Sequence, residues 1–98
     1  MTNGSRAQFE ALAGHVANVF VEYMQDDGCE TFAELRRAQK WNTEDVKDEC
    51  ECIIDDLSRR VNQAVYMTDD HDDICIGGEL MPWNEWSKLL YKKIREAA

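Results

Sequence analysis

Apolar residues recur at intervals of three and four from Phe9 onward. Phe9, Leu12, Ala13, Val16, Val19, Phe20 and Tyr23 form one stripe, which predicts an amphipathic helix of about four turns. Ser5-Arg6-Ala7-Gln8 fits a capping box at its start, and Asp26-Asp27-Gly28 supplies a left-handed stop. A short second helix follows from a second box, Thr31-Phe32-Ala33-Glu34. Phe32, Leu35, Ala38 and Trp41 are its apolar positions, and Arg36, Arg37 and Lys40 load its C-terminal half.

The third segment is the longest. Asn42 or Thr43 caps it, and Glu44 and Asp45 sit where a helix N-terminus favours negative charge. Val46, Cys50, Ile53, Ile54, Leu57 and Val61 make its stripe, with Leu57 predicted to be a fully buried member. Ala64 and Val65 continue the period, which favours a helix reaching about Tyr66. The alternative ends it near Asn62 and makes Val65–Thr68 and Ile74–Ile76 a small hairpin around Asp69–Asp73. Gly77-Gly78 then reads as a turn, and Pro82 suits the first turn of a last helix whose apolar side is Trp83, Trp86, Leu89, Leu90 and Ile94. The expected fold class is all-α. It is a compact bundle of about four helices in one small acidic domain, residues 1–98, with a β-hairpin near residues 65–76 as the alternative.

Composition supports an ordered chain. Apolar residues make up 44% and charged residues 32%, with a single proline, which excludes disordered and low-complexity classes. No apolar run reaches the ~18 residues of a membrane span, and the first residues lack the pattern of a signal peptide. The expected compartment is the cytosol, of a bacterium or of a host cell if the gene is phage-borne. Reduced thiols are then the expected state of Cys29, Cys50, Cys52 and Cys75. Their spacing contains one Cys-x-Cys and no Cys-x₂-Cys, unlike a zinc ribbon or finger. On a helix Cys50 and Cys52 fall about 200° apart and point to opposite sides.

Charge changes the picture most. Twenty acids against eleven bases leave a net charge of −9, which disfavours direct binding of nucleic acid. Residues 22–56 carry twelve acids and four bases, residues 69–79 five acids and no base, and residues 82–98 four bases and two acids. The third helix concentrates Glu44, Asp45, Asp48, Glu49, Glu51, Asp55 and Asp56, with Lys47 its only base before Arg59. Helices two and three thus have the outline of a helix-turn-helix whose reading helix would repel phosphate. Asp69, Asp70, Asp72 and Asp73 form a second acidic cluster, but the calcium-loop pattern fails because Ile74 stands at position 6 and Leu80 at position 12. His71, flanked by these four carboxylates, is expected to have a raised pKa and to be an exposed histidine without a task, with a pH sensor as the alternative. His15 is expected to be a half-buried packing residue. Gly77-Gly78 lacks the Lys-Ser/Thr of a phosphate loop.

No catalytic constellation, cofactor motif or metal-ligand spacing emerges, so the expectation is a non-enzymatic protein with no cofactor and no metal. A row of carboxylates on a rigid helix imitates phosphates and steers a protein toward basic surfaces. In size, charge and compact helical pattern the chain resembles the small acidic anti-defence proteins of bacteriophages, of anti-CRISPR and anti-restriction type. The resemblance is one of class, carries no motif and assigns no residue. It implies an inhibitor that occupies the basic, nucleic-acid-binding surface of a larger partner, without binding nucleic acid or membrane itself. Two alternatives stand beside it. One is a structural or adaptor subunit, a homodimer for example, that associates through apolar helix faces, with Trp83 and Trp86 as an interface. The other is a metal-binding regulatory module built on the cysteines or on Asp69–Asp73.

Overall fold

The structure, a computed structural model, describes residues 3–62 and 64–98. Four helices and a three-stranded antiparallel sheet occur among them, in the order α1 (Asn3–Asp27), α2 (Phe32–Gln39), α3 (Thr43–Val61), β1 (Val65–Met67), β2 (Asp73–Ile76), β3 (Glu79–Pro82) and α4 (Trp83–Ala97). The fold is therefore largely helical but mixed, and the all-α expectation is corrected.

Each helix boundary has a local cause. α1 is already helical from Asn3, so Ser5 lies inside it and is not its cap. It ends at Gly28, whose φ of +70° an L side chain rarely adopts. Thr31 accepts a hydrogen bond from Glu34 N at 3.1 Å, while the Glu34 carboxylate takes Glu30 N instead of closing the predicted box. Asn42, not Thr43, caps α3. Its side chain accepts from Asp45 N at 2.8 Å, and Asp45 returns the bond to Asn42 N at 2.9 Å.

The helix-to-Tyr66 expectation is overturned at Asn62. That residue turns left-handed (φ 52°), a conformation asparagine tolerates, and stops α3 there. Val65–Met67 then enters the sheet as the alternative had it. The third strand was not anticipated. Gly77 and Gly78 both have positive φ and close a two-residue hairpin between β2 and β3 rather than a simple turn into α4.

Register sorts the sheet's two faces. Met67, Ile74 and Met81 lie in one cross-strand row and are buried, while Tyr66, Cys75 and Leu80 form the next row. Tyr66 and Leu80 are about half exposed, at 48% and 52%. The inner row joins a core filled from all four helices, with Phe9, Val16, Phe20, Leu35, Val46, Ile54, Trp86 and Leu90 among its fully enclosed members. α1 is the central element, packed chiefly against α4 and also touching α2 and α3.

Leu57 is only partly buried at the edge of this core, whereas Ile54 is fully enclosed. Ile54→Ala is expected to cost about 2–5 kcal/mol and Leu57→Ala about 1 kcal/mol, measured by urea denaturation. Equal losses would place Leu57 in the core after all.

Candidate functional site

At about 100° per residue, the acids of α3 fall into two strips. Glu44, Asp48, Glu51 and Asp55 follow the i, i+4, i+7, i+11 spacing. Asp45, Glu49 and Asp56 lie on the adjacent strip with Cys52, and Val46, Cys50, Ile53 and Ile54 face the core on the far side. The residues singled out from the sequence are thus on one helix but do not share one role. Asp45 is engaged in the N-terminal cap. Asp56 pairs with Arg60 at 2.8 Å, an exposed i,i+4 contact of small energetic weight. Glu49 lies near Tyr23 of α1, whose pKa is raised by burial first and by Glu49 next. Asp55 makes no ion pair among the described residues and is exposed.

The first strip meets the β1–β2 loop. His71 Nδ1 lies 3.4 Å from Glu44 Oε2 and 3.6 Å from Asp48 Oδ1, and Nε2 lies 3.3 Å from Glu51 Oε2. The imidazole is 16% exposed, so it is neither free nor idle. Burial of the ring works against its charge, but the Glu44 hydrogen bond and the charges of Glu51 and Asp48 outweigh it, and the pKa is raised. The sequence suggested a raised value from the wrong carboxylates. The groups responsible are 20 to 27 residues away on α3, and only the fold brings them there.

The loop acids mostly build the loop. Asp70 accepts from the Thr68 hydroxyl at 2.7 Å and from Asp72 N at 3.0 Å, and these bonds hold its carboxyl below the usual range. Asp73 N donates to Thr68 Oγ1, and the Asp72 carbonyl accepts from Trp83 N at 2.7 Å. Asp69 and Asp72 keep exposed side chains. Among the described residues no group of three or more His, Cys, Asp or Glu side chains is arranged to hold a metal ion.

Sequence reasoning missed Lys47. Its ammonium lies 3.6 Å from Glu44 and 5.7 Å from the centre of the Trp83 ring, and the side chain is largely covered. That is cation–π distance, and it ties the α3 face to the start of α4. A lone basic residue in an acidic run was the available signal.

Trp83 and Trp86 are corrected as an interface patch. They pack together in the core as a tilted pair with ring centres 5.8 Å apart, at 6% and 0% exposure, and the Trp86 indole donates to the Phe9 carbonyl at 3.1 Å. Contacts through apolar faces would fall to Tyr66 and Leu80 instead. Cys50 and Cys75 are buried, Cys29 is half-buried and Cys52 is exposed, so Cys50 and Cys52 do point to opposite sides of α3. Burial pushes the Cys50 thiol far up and that of Cys29 up as well, the reverse of an activated nucleophile. His15 is half-buried beside Leu57, Val65 and Ile76.

No protein-family model, curated protein or solved structure matches this chain. Among the described residues no helix is long and apolar enough to cross a membrane.

Proposed function

We propose that the chain is a non-enzymatic binding protein that occupies a basic, nucleic-acid-binding surface of a larger partner, in the manner of phage-encoded anti-CRISPR and anti-restriction inhibitors. The observation that carries this is the density of carboxylates on α3. Seven acids fall between Glu44 and Asp56 on one 19-residue helix that is capped at both ends. At 1.5 Å rise per residue they span about 18 Å, and net of Lys47 this is roughly one charge per 3 Å of axis. Duplex DNA carries about one per 1.7 Å. A rigid helix therefore offers a linear charge density of the same order as the ligand it would displace. The core packing of α3 fixes the backbone that carries those charges, so no helix has to order at the moment of binding.

Lys88, Lys92, Lys93 and Arg95 are on α4, and the charge asymmetry orients the α3 face toward a positive partner. The test is capture of a partner from a cognate bacterial lysate on the immobilised chain, with elution by salt, followed by titration of the captured complex with duplex DNA. The expected result is elution in moderate salt and mutual exclusion of chain and DNA. A ternary complex containing both, at undiminished affinity, would refute the proposal. The isolated chain is expected to leave DNA mobility unchanged.

A further inference from the structure

His71 occupies a position that only its protonated ring satisfies. Both nitrogens face carboxylate oxygens, Nδ1 toward Glu44 and Asp48 and Nε2 toward Glu51, at 3.3 to 3.6 Å. A neutral imidazole has one N–H and one lone pair. Whichever nitrogen carries the lone pair then sets an acceptor against an acceptor. The imidazolium donates from both sides. The ring is delivered there by a tightly built loop. His71 adopts a left-handed backbone (φ 61°) and its N–H donates to the Thr68 carbonyl at 2.8 Å, while the Thr68 hydroxyl and Asp70 brace the turn. We propose that His71 is a proton-operated clasp, which pins the β1–β2 loop to α3 through Glu44, Asp48 and Glu51 while the ring is protonated, and releases the loop when the proton leaves.

The charged groups that meet the ring come from α3. α3 presents Glu44, Asp48 and Glu51, with Lys47 held on Glu44 from its other side. The loop's own Asp69, Asp70 and Asp72 flank His71 in sequence, and Asp70 is turned onto the Thr68 hydroxyl and the Asp72 amide. On α4 the Trp83 ring, which carries no charge, lies under Lys47. Acids outnumber the single base, which is why the pKa is raised although burial opposes it. For a group whose folded-state value is raised, the stabilisation is fully present below the unfolded value, about pH 6.5 for histidine, and is lost as pH rises through the folded value. At higher pH the acidic strip therefore loses the positive charge that offsets it, a change of one unit, and the loop loses its tie to α3. That consequence rests on the α3 face being the partner-binding surface; the clasp itself does not.

The experiment is a heteronuclear NMR titration of the isolated full chain from pH ~5 to ~9, which brackets the histidine range. The His71 ring is expected to titrate above pH ~6.5, and the backbone amides of Thr68, Asp70, Asp48 and Glu51 to move with the same midpoint. Glu44→Gln, Asp48→Asn and Glu51→Gln together should return the ring midpoint toward ~6.5. His71→Asn, which suits the left-handed backbone, should abolish the shared titration of the amides. A wild-type midpoint at or below ~6.5, or one unmoved by the triple amide variant, overturns the clasp. No partner is needed, so failure here removes the clasp alone. Failure of the DNA-exclusion test removes the binding face and leaves the titration standing.

Discussion

Trp86→Ala is expected to remove a large share of the stability of this protein, about 3–5 kcal/mol from a total on the order of 5–15 kcal/mol for a chain of this size. The indole is wholly enclosed, and its N–H reaches the Phe9 carbonyl across 77 residues of sequence. Truncation opens a cavity where α1 and α4 meet, the most extensive helix–helix contact in the fold. At roughly 4–8 °C per kcal/mol, the midpoint of thermal unfolding should fall by on the order of 20 °C. Trp86→Phe keeps most of the apolar volume and loses the donor, so about 1–2 kcal/mol is expected. Circular dichroism against temperature measures both. A loss under ~1 kcal/mol for the alanine variant would show that the indole lies outside the core.

Charge reversal on the acidic helix should have the largest effect on partner binding. Asp48→Lys combined with Asp55→Lys places two positive charges on the first strip, against a positive surface. Like charges at an interface cost several kcal/mol, so a loss on the order of a hundredfold in affinity is expected. The corresponding double alanine variant should lose far less, and mainly through slower association. Asp55 is exposed and makes no ion pair among the described residues, so its reversal should change stability by about 0.5 kcal/mol or less; Asp48 also faces His71, so its reversal loosens the β1–β2 loop, while helical signal should persist in both. Lys88→Glu on α4 serves as the control and should leave affinity within about twofold. Equal losses for the reversal and alanine variants would mean that the strip is not in the interface.

The helices were legible because each repeats one signal several times. Phe9 through Phe20 state the α1 period over three turns, and Asn42 with Asp45 mark where α3 begins. The sheet was less legible because its signals are short and conflict. Val65 falls in phase with the α3 stripe, so periodicity alone carries the helix across Asn62. What decides against this is the left-handed turn of one asparagine and the pairing of Val65 with Ile76, a long-range contact. β3 reads as Glu-Leu-Met-Pro, with a single buried side chain, and offers no alternation long enough to notice. The acidic residues of the candidate site were visible one by one. Their division into a cap, two strips and a histidine cluster was not, because Glu44, Asp48 and Glu51 acquire a shared partner only when the hairpin folds onto α3.

The pairing of α1 with α4 also bears on how the chain comes into existence. During synthesis the apolar stripe of α1 is made first, and Trp86 follows Phe9 by 77 residues. At about 5–20 residues per second, that stripe waits roughly 4 to 15 s for its principal cover. In the interval Phe9, Leu12 and Val16 are exposed on a helix whose full partner does not yet exist. α2 and α3 touch α1 and arrive earlier, so they are the first shelter. The nascent chain is therefore most prone to self-association, and most dependent on chaperones, just before its last helix emerges.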